Sequence, residues 1–248
     1  MIRINKISVI FGRGTPLEHS VFQDFTLQIQ TGEFVTVIGG NGAGKSTLMN
    51  VISGDVRVER GQIWLDEKEV TTLRPHERSA LISRVFQDPL LGSFSDLTIE
   101  ENLSLAYSRG ETRNLRPALN KKLRDKYRTI LAEIGINLEN RLQDKMGLLS
   151  GGQRQAVSLL MATLQPAKIL LLDEHTAALD PKMEQVVLEL TQKLILEHQL
   201  TVLMITHSMN QALAYGNRTL VMHQGQVVKD LQGEARTALQ ASELIPFF

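Results

Sequence analysis

Apolar residues recur at Ile2, Ile4, Ile7 and Val9, and again at Phe25, Leu27 and Ile29, which predicts two strands with one buried face each. Thr31 and Gly32 turn the chain into an unbroken apolar-type strand over 34–38 that ends on Gly39 and Gly40. A helix is predicted from Lys45 to about Ser53, with Gly54 placed as its C′ residue. Residues 61–65 and 68–70 read as a hairpin turned at Asp66 and Glu67. From Asp88 the pattern becomes helical. Thr98 and Glu101 frame a capping box that opens a helix to Tyr107, and Pro117 suits the first turn of a longer one reaching about Ile134. A glycine-bearing turn over 149–153 feeds a further helical run, 154–164, stopped by Pro166. Residues 169–172 and 202–205 are short apolar strands suited to a doubly covered parallel sheet, with an amphipathic helix from Pro181 to Glu197 between them. A late hairpin, 220–222 with 226–228, closes around Gly225. Together these elements predict a single α/β domain over 1–248. Residues 1–87 and 161–248 form a core with a parallel sheet and an N-terminal antiparallel β layer, and 88–160 is an inserted α-helical subdomain.

Composition acts on this picture by exclusion. A chain of 248 residues can bury a substantial core, and 42% hydrophobic with 22% charged residues is the balance of an ordinary soluble globular protein. Lys plus Arg equals Asp plus Glu at 27 each, so no overall charge points to nucleic acid. The lack of cysteine excludes disulfides and thiolate metal sites and fits a reducing cytoplasm. No run approaches the roughly 20 apolar residues that cross a bilayer, and Met1 to Lys6 alternates instead of opening a signal-peptide stretch. If the protein serves a membrane, the spanning part is another chain.

The chemistry concentrates where strands end. Gly39, Gly40, Asn41, Gly42, Ala43, Gly44, Lys45 and Ser46 fit the phosphate-binding pattern G-x-x-x-x-G-K-[ST] in full, and they lie between a predicted strand and a predicted helix. Glycines let backbone N–H groups approach phosphates, Lys45 can neutralise β/γ oxygens, and the Ser46 hydroxyl can sit on Mg²⁺. This defines a P-loop NTPase core. Asp173 and Glu174 follow a buried strand at the sheet edge where ligands of open α/β folds bind. Asp173 can hold Mg²⁺ through water, and Glu174 can polarise an attacking water. His207 follows the next apolar strand and is expected at the same edge. Leu149, Ser150, Gly151, Gly152 and Gln153 form a second phosphate-type turn at a helix start.

The ordered set of P-loop, Gln87, residues 149–153, Asp173 with Glu174, Asp180 and His207 resembles the ATP-binding cassette (ABC) ATPases of membrane transporters over nearly the whole chain. The resemblance implies that Gly39 to Thr47 is the Walker A loop binding ATP and that Asp173 closes Walker B. It makes Glu174 the general base, His207 the switch histidine on the γ-phosphate, and Gln87 a contact to Mg²⁺ or the lytic water that senses the transport partner. Asp180 belongs at a dimer seam, and the signature, Ser150 and Gly152 above all with Gly151 and Gln153, meets ATP held by a second subunit. The implied assembly is a homodimer with two sandwiched ATP molecules, bound to a separate transmembrane permease on the inner face of the cell membrane, with a solute-binding protein as a further partner. Import of a small solute such as an amino acid is the favoured direction. An exporter ATPase and a soluble ABC ATPase outside transport are the alternatives.

Phe11 resembles the aromatic that stacks on adenine; the other reading for an aromatic at a strand end is core packing. His175 departs from the resemblance, which implies proline there. Proline would stiffen the turn. A solvated imidazole is expected at His175, the alternative being electrostatic tuning of Glu174. Arg113, Arg116, Lys121, Lys122, Arg124, Lys126 and Arg128 form a basic run expected to be a solvated face, the alternative being contact with anionic lipid or an acidic partner. The apolar end, Leu244, Ile245, Pro246, Phe247 and Phe248, either docks on a neighbour or frays.

Overall fold

In the computed structural model, which describes residues 1–110 and 118–239, the chain begins with three strands, β1 (Ile2–Phe11), β2 (His19–Ile29) and β3 (Phe34–Ile38), before helix α1 (Lys45–Ser53). It continues through β4 (Arg60–Leu65), β5 (Lys68–Glu69), α2 (Pro75–Arg78) and β6 (Ile82–Val85). Helices α3 (Ile99–Tyr107), α4 (Lys121–Ala132) and α5 (Gly151–Thr163) follow, then β7 (Ile169–Asp173) and α6 (Pro181–His198). The last elements are β8 (Thr201–Ile205), α7 (Met209–Ala214), β9 (Arg218–His223), β10 (Gln226–Gln232) and α8 (Gly233–Thr237).

Two sheets result. The antiparallel layer has the order β2-β1-β4-β5, and the second sheet has the order β10-β9-β3-β8-β7-β6. In the second sheet β3 pairs parallel with β8 and β9, and β7 parallel with β8, while β10 returns antiparallel on β9. The strand alternation at the start of the chain slips by one between Ile4 and Ile7. Lys6 absorbs the extra residue at φ 46, as a bulge does, and both apolar pairs stay on the buried face.

The described residues divide into two compact units. One comprises Met1–Ile82, Lys168–Glu174 and the chain from Leu200; the other comprises Ser83–Ala167 and His175–Gln199. In the first, a continuous apolar core joins Ile2, Ile4 and Phe22 of the antiparallel layer to Leu48 and Ile52 of α1 and to Val35, Leu171 and Leu203 of the parallel sheet. In the second, α5 packs on α6 and α3, and α3 on α4. The helical unit therefore takes in α6, which extends it beyond the expected 88–160: α6 is sequence-distant but lies against α5.

Local differences from the sequence reading have local causes. The helix expected from Pro117 starts at Lys121, where the Asn120 side chain accepts from Leu123 N–H. Pro117 itself, with Arg113 and Arg116 and the apolar end at 244–248, lies outside the described residues. The glycines of 149–153 are not a turn ahead of a helix but its first turn. Ser150 is the N-cap, its Oγ accepts from Gln153 N–H, and Gln153 Oε1 accepts from Ser150 N–H. Much of the basic run is engaged at home: Arg124 forms two bonds to the buried Glu100, Arg128 meets Asp125, and Lys126 lies over Tyr107.

Candidate active site

Every residue of β3 is buried; four are apolar, and the hydroxyl of the fifth, Thr36, is satisfied by the Ala212 carbonyl and Thr219. β8, the parallel neighbour of β3, and β7 beyond it end at the same edge, and the P-loop leaves β3 there. Gly39 sits at φ 150, and a Cβ on it would collide with the carbonyl of Met222 in β9, so only glycine lets the chain leave the sheet so closely. α1 then starts from Gly44 at φ 97 with no side-chain cap. Its first N–H groups are left for an anion, at the positive end of the helix dipole. Lys45 is buried in the loop, and its ammonium donates to the carbonyls of Gly39 and Gly40 at 2.7 and 3.0 Å. Burial lowers its pKa from the ordinary lysine value, while the carboxylates of Glu174 and Asp173 pull it back upward.

Asp173 is the last residue of β7, and Glu174 follows in the left-handed region at φ 45, its N–H donating to the Ile205 carbonyl at 3.1 Å. For a non-glycine residue this conformation costs on the order of 1–3 kcal/mol and tends to mark functional positions. The Glu174 carboxylate meets His207, just past β8, whose Nε2 lies 2.7 Å from Glu174 Oε1. A cavity of ≈ 300 Å³ is lined by Lys45, Ser46, Glu174, His207 and two residues of β2, His19 and Val21. The β2 pair was invisible to motif reading; its one signal is that His19 pairs with Phe11 across β1 and β2. Phe11 is 41% exposed, which removes the core-packing alternative for it.

The second unit holds the remaining candidates. Gln87 is exposed just after β6, and Leu90, Leu91 and Phe94 beyond it are exposed as well. Ser150 and Gly151 are exposed at the start of α5, and a Cβ on Gly151 would meet open space. Gly152 has a different reason to be glycine: a Cβ there would press on Met183 Cβ at 2.8 Å, so it sets how closely α5 approaches α6. Asp180 caps α6 by accepting from Met183 N–H at 3.1 Å. Arg154 braces the loop before α5 by donating to the carbonyls of Met146, Gly147 and Leu149. Sequence reading passed over this residue because its partners are backbone atoms.

The solvated imidazole expected at His175 is not what the structure contains. His175 is 3% exposed, with Nε2 3.2 Å from Thr191 Oγ1. Thr191 spends its proton on the Val187 carbonyl, so its oxygen accepts and His175 carries the proton on Nε2. Burial pushes the His175 pKa down to about 4, so the ring is neutral at neutral pH and puts no charge beside Glu174. Between pH 6.5 and about 4 the unfolded chain binds this proton and the folded one does not. The stabilisation linked to the neutral ring is complete above pH 6.5 and is lost as the pH falls, by up to a few kcal/mol. Thermal midpoints measured from pH 7 to pH 4.5 are expected to fall less steeply in His175→Gln than in the unchanged protein; parallel curves would show that His175 does not titrate on unfolding.

A phosphate loop opening a helix, with a carboxylate pair and a histidine at the adjoining strand ends, defines a P-loop nucleoside triphosphatase. The family described as "ABC transporter" matches residues 22–177. The tyrosine transport ATP-binding protein of Clostridioides difficile is 43% identical over 248 residues, covering 100% of this chain and 98% of that protein. The thiamine import ATP-binding protein ThiQ of Photorhabdus laumondii is 37% identical over 86% of this chain and 85% of its own length. Among solved structures, the dimeric post-hydrolysis state of the ATP-binding cassette MJ0796 bound to ADP and Pi has a TM-score of 0.80 at 27% identity, covering 94% of this chain and 98% of that one. The chain belongs to the ABC transporter family. It is an ATP-hydrolysing, nucleotide-binding subunit of a membrane transporter, and ATP and Mg²⁺ are its cofactors. Among the described residues no helix is long and apolar enough to cross a membrane.

The residues present fit Mg²⁺. Ser46 and Asp173 offer hard oxygen donors, and Asp173 is near enough to act on the Lys45 ammonium. Among the described residues no three His, Cys, Asp or Glu side chains cluster as a dedicated metal cage. That suits an ion held by one or two protein oxygens, with phosphate and water completing its shell.

Proposed function

We propose that this chain powers import of a small solute of the amino-acid class, working as a homodimer beneath a separate permease on the inner face of the membrane. The observation that carries the hydrolytic part is the 2.7 Å contact of His207 with Glu174 inside the cavity that also contains Lys45 and Ser46. Gly39, Asn41, Gly42, Ala43, Gly44 and Thr47 would wrap the phosphates with Lys45; Ser46 and Asp173 would hold Mg²⁺, with Gln87 assigned to the ion or to the attacking water. When bound, the ion would supply charge neutralisation at the triphosphate. Glu174 accepts the proton of the attacking water as oxygen bonds to the γ-phosphorus and the bond to ADP breaks. His207 orients that carboxylate and then faces the departing phosphate.

Ser150, Gly151, Gly152 and Gln153 act on the nucleotide of the partner subunit, and Asp180 lies at the seam. Support comes from the open surface over Ser150 and Gly151 and from the dimeric state of the MJ0796 cassette. The segment 88–160, with α6 packed against its α5, is the signature subdomain. Its docking face toward the permease starts at Gln87, where Leu91 and Phe94 are 70% and 61% exposed, large apolar groups that a monomer gains nothing by displaying. The amino-acid cargo is supported by the tyrosine transport relative, whose whole length this chain matches.

Affinity-tagged chain expressed in its own cells is expected to bring down a multi-span membrane protein, and its deletion to abolish uptake of labelled tyrosine. Recovery without any membrane protein would favour the soluble alternative. Phe11, exposed beside His19, is the adenine contact in this reading. Phe11→Ala is expected to weaken ATP about tenfold, the scale of one base–aromatic stack, and to leave inorganic triphosphate unchanged. Equal losses for both ligands would rule the stack out.

A further inference from the structure

Gln155 is 1% exposed in α5, and its side chain reaches 69 residues back along the sequence to donate from Nε2 to the Phe86 carbonyl at 3.0 Å. A carbonyl can only accept, so the group facing it is the amide NH₂ and the orientation of the side chain is fixed. The other half of the amide, Oε1, is buried without a hydrogen-bonding partner among the described residues, and so is Ser158 Oγ one turn further along the helix. Buried polar atoms are nearly always paired, so the bond to Phe86 is the contact that places this amide inside the helix packing. Phe86 immediately precedes Gln87, and Ser150, the N-cap of α5, lies five residues before Gln155. The one bond therefore joins the backbone that presents Gln87 to the rod that presents the signature.

We propose that Gln155 is a positioning residue that ties the Gln87 segment to the signature helix, so that displacement of one moves the other. The tie rests on the roles given above to Gln87 and Ser150. Gln155 and Phe86 touch no nucleotide in this scheme, and the P-loop is untouched by it.

Gln155→Met, close in volume, and Gln155→Leu both remove the donor, and either suffices if the other folds poorly. Each is made in the unchanged chain and in a Glu174→Gln background. In either variant, hydrogen exchange in the peptide 84–90 is expected to quicken about tenfold, the scale of one lost hydrogen bond, while exchange in α1 stays the same. ATP affinity of the monomer is expected to stay within twofold, and ATP-driven dimerisation in the Glu174→Gln background to weaken about tenfold. A merely structural role would lower the melting temperature without separating ATP binding from dimerisation. Unchanged exchange at 84–90 with unchanged dimerisation would overturn the tie. Failure of Glu174→Gln alone to dimerise on ATP would instead overturn the in-trans reading on which it rests.

Discussion

Glu174→Gln is expected to lower ATP turnover by about 10²–10⁴-fold, the contribution of a positioned general base, while ATP stays bound in a stable dimer. The amide is isosteric, and its oxygen can still accept from His207 Nε2, which meets Glu174 Oε1 at 2.7 Å in the unchanged protein. Glutamine also pays the same backbone strain as glutamate at φ 45. Only the ability to take a proton is lost, so binding and hydrolysis separate. Size-exclusion chromatography with ATP and with ADP, beside a phosphate-release assay, reads both. Rapid hydrolysis by this variant would remove Glu174 from the role of base.

Ser150→Arg should keep the binding of one ATP per monomer and abolish ATP-driven dimerisation, with hydrolysis down by at least about 10²-fold, as when a donor to a developing anion is removed. The substitution also deletes the cap that Ser150 Oγ provides to Gln153 N–H, worth about 1 kcal/mol. Ser150→Asp controls for this, because aspartate caps a helix well yet sets a negative charge where the partner's phosphate would lie. Both variants are expected to remain monomeric with ATP. A dimer formed by the aspartate variant at unchanged ATP concentration would contradict a phosphate contact in trans.

Much of the fold is legible in the chain because its signals are local. The G-x-x-x-x-G-K-S loop carries its own context, a fully buried strand before it and a helix ending at Gly54 after it. The capping box at Thr98 and Glu101 and the hairpin at Asp66 are likewise short-range, and each element lies where its residues say. What stayed hidden depends on distant partners. The slip at Lys6 is fixed by pairing with two other strands, and the left-handed turn of Glu174 is held by the Ile205 carbonyl. His175 is buried because Thr191, sixteen residues on, presents an acceptor to it. The amide of Gln155 reads as one more polar residue until Phe86 is brought to it by the fold.

The bare start of α1 has a consequence for the protein's lifetime. No side chain closes the first turn after Gly44, so a bound phosphate group would complete the helix from outside. Ligand that binds only the folded chain adds about 2.7 kcal/mol of stability at a hundred times its Kd. When a starving cell lets its ATP fall, that increment shrinks and more of the chain opens, within reach of proteases. The abundance of this subunit is thereby expected to follow the nucleotide occupancy of its phosphate loop, a slow control lying beneath the fast one exercised by hydrolysis.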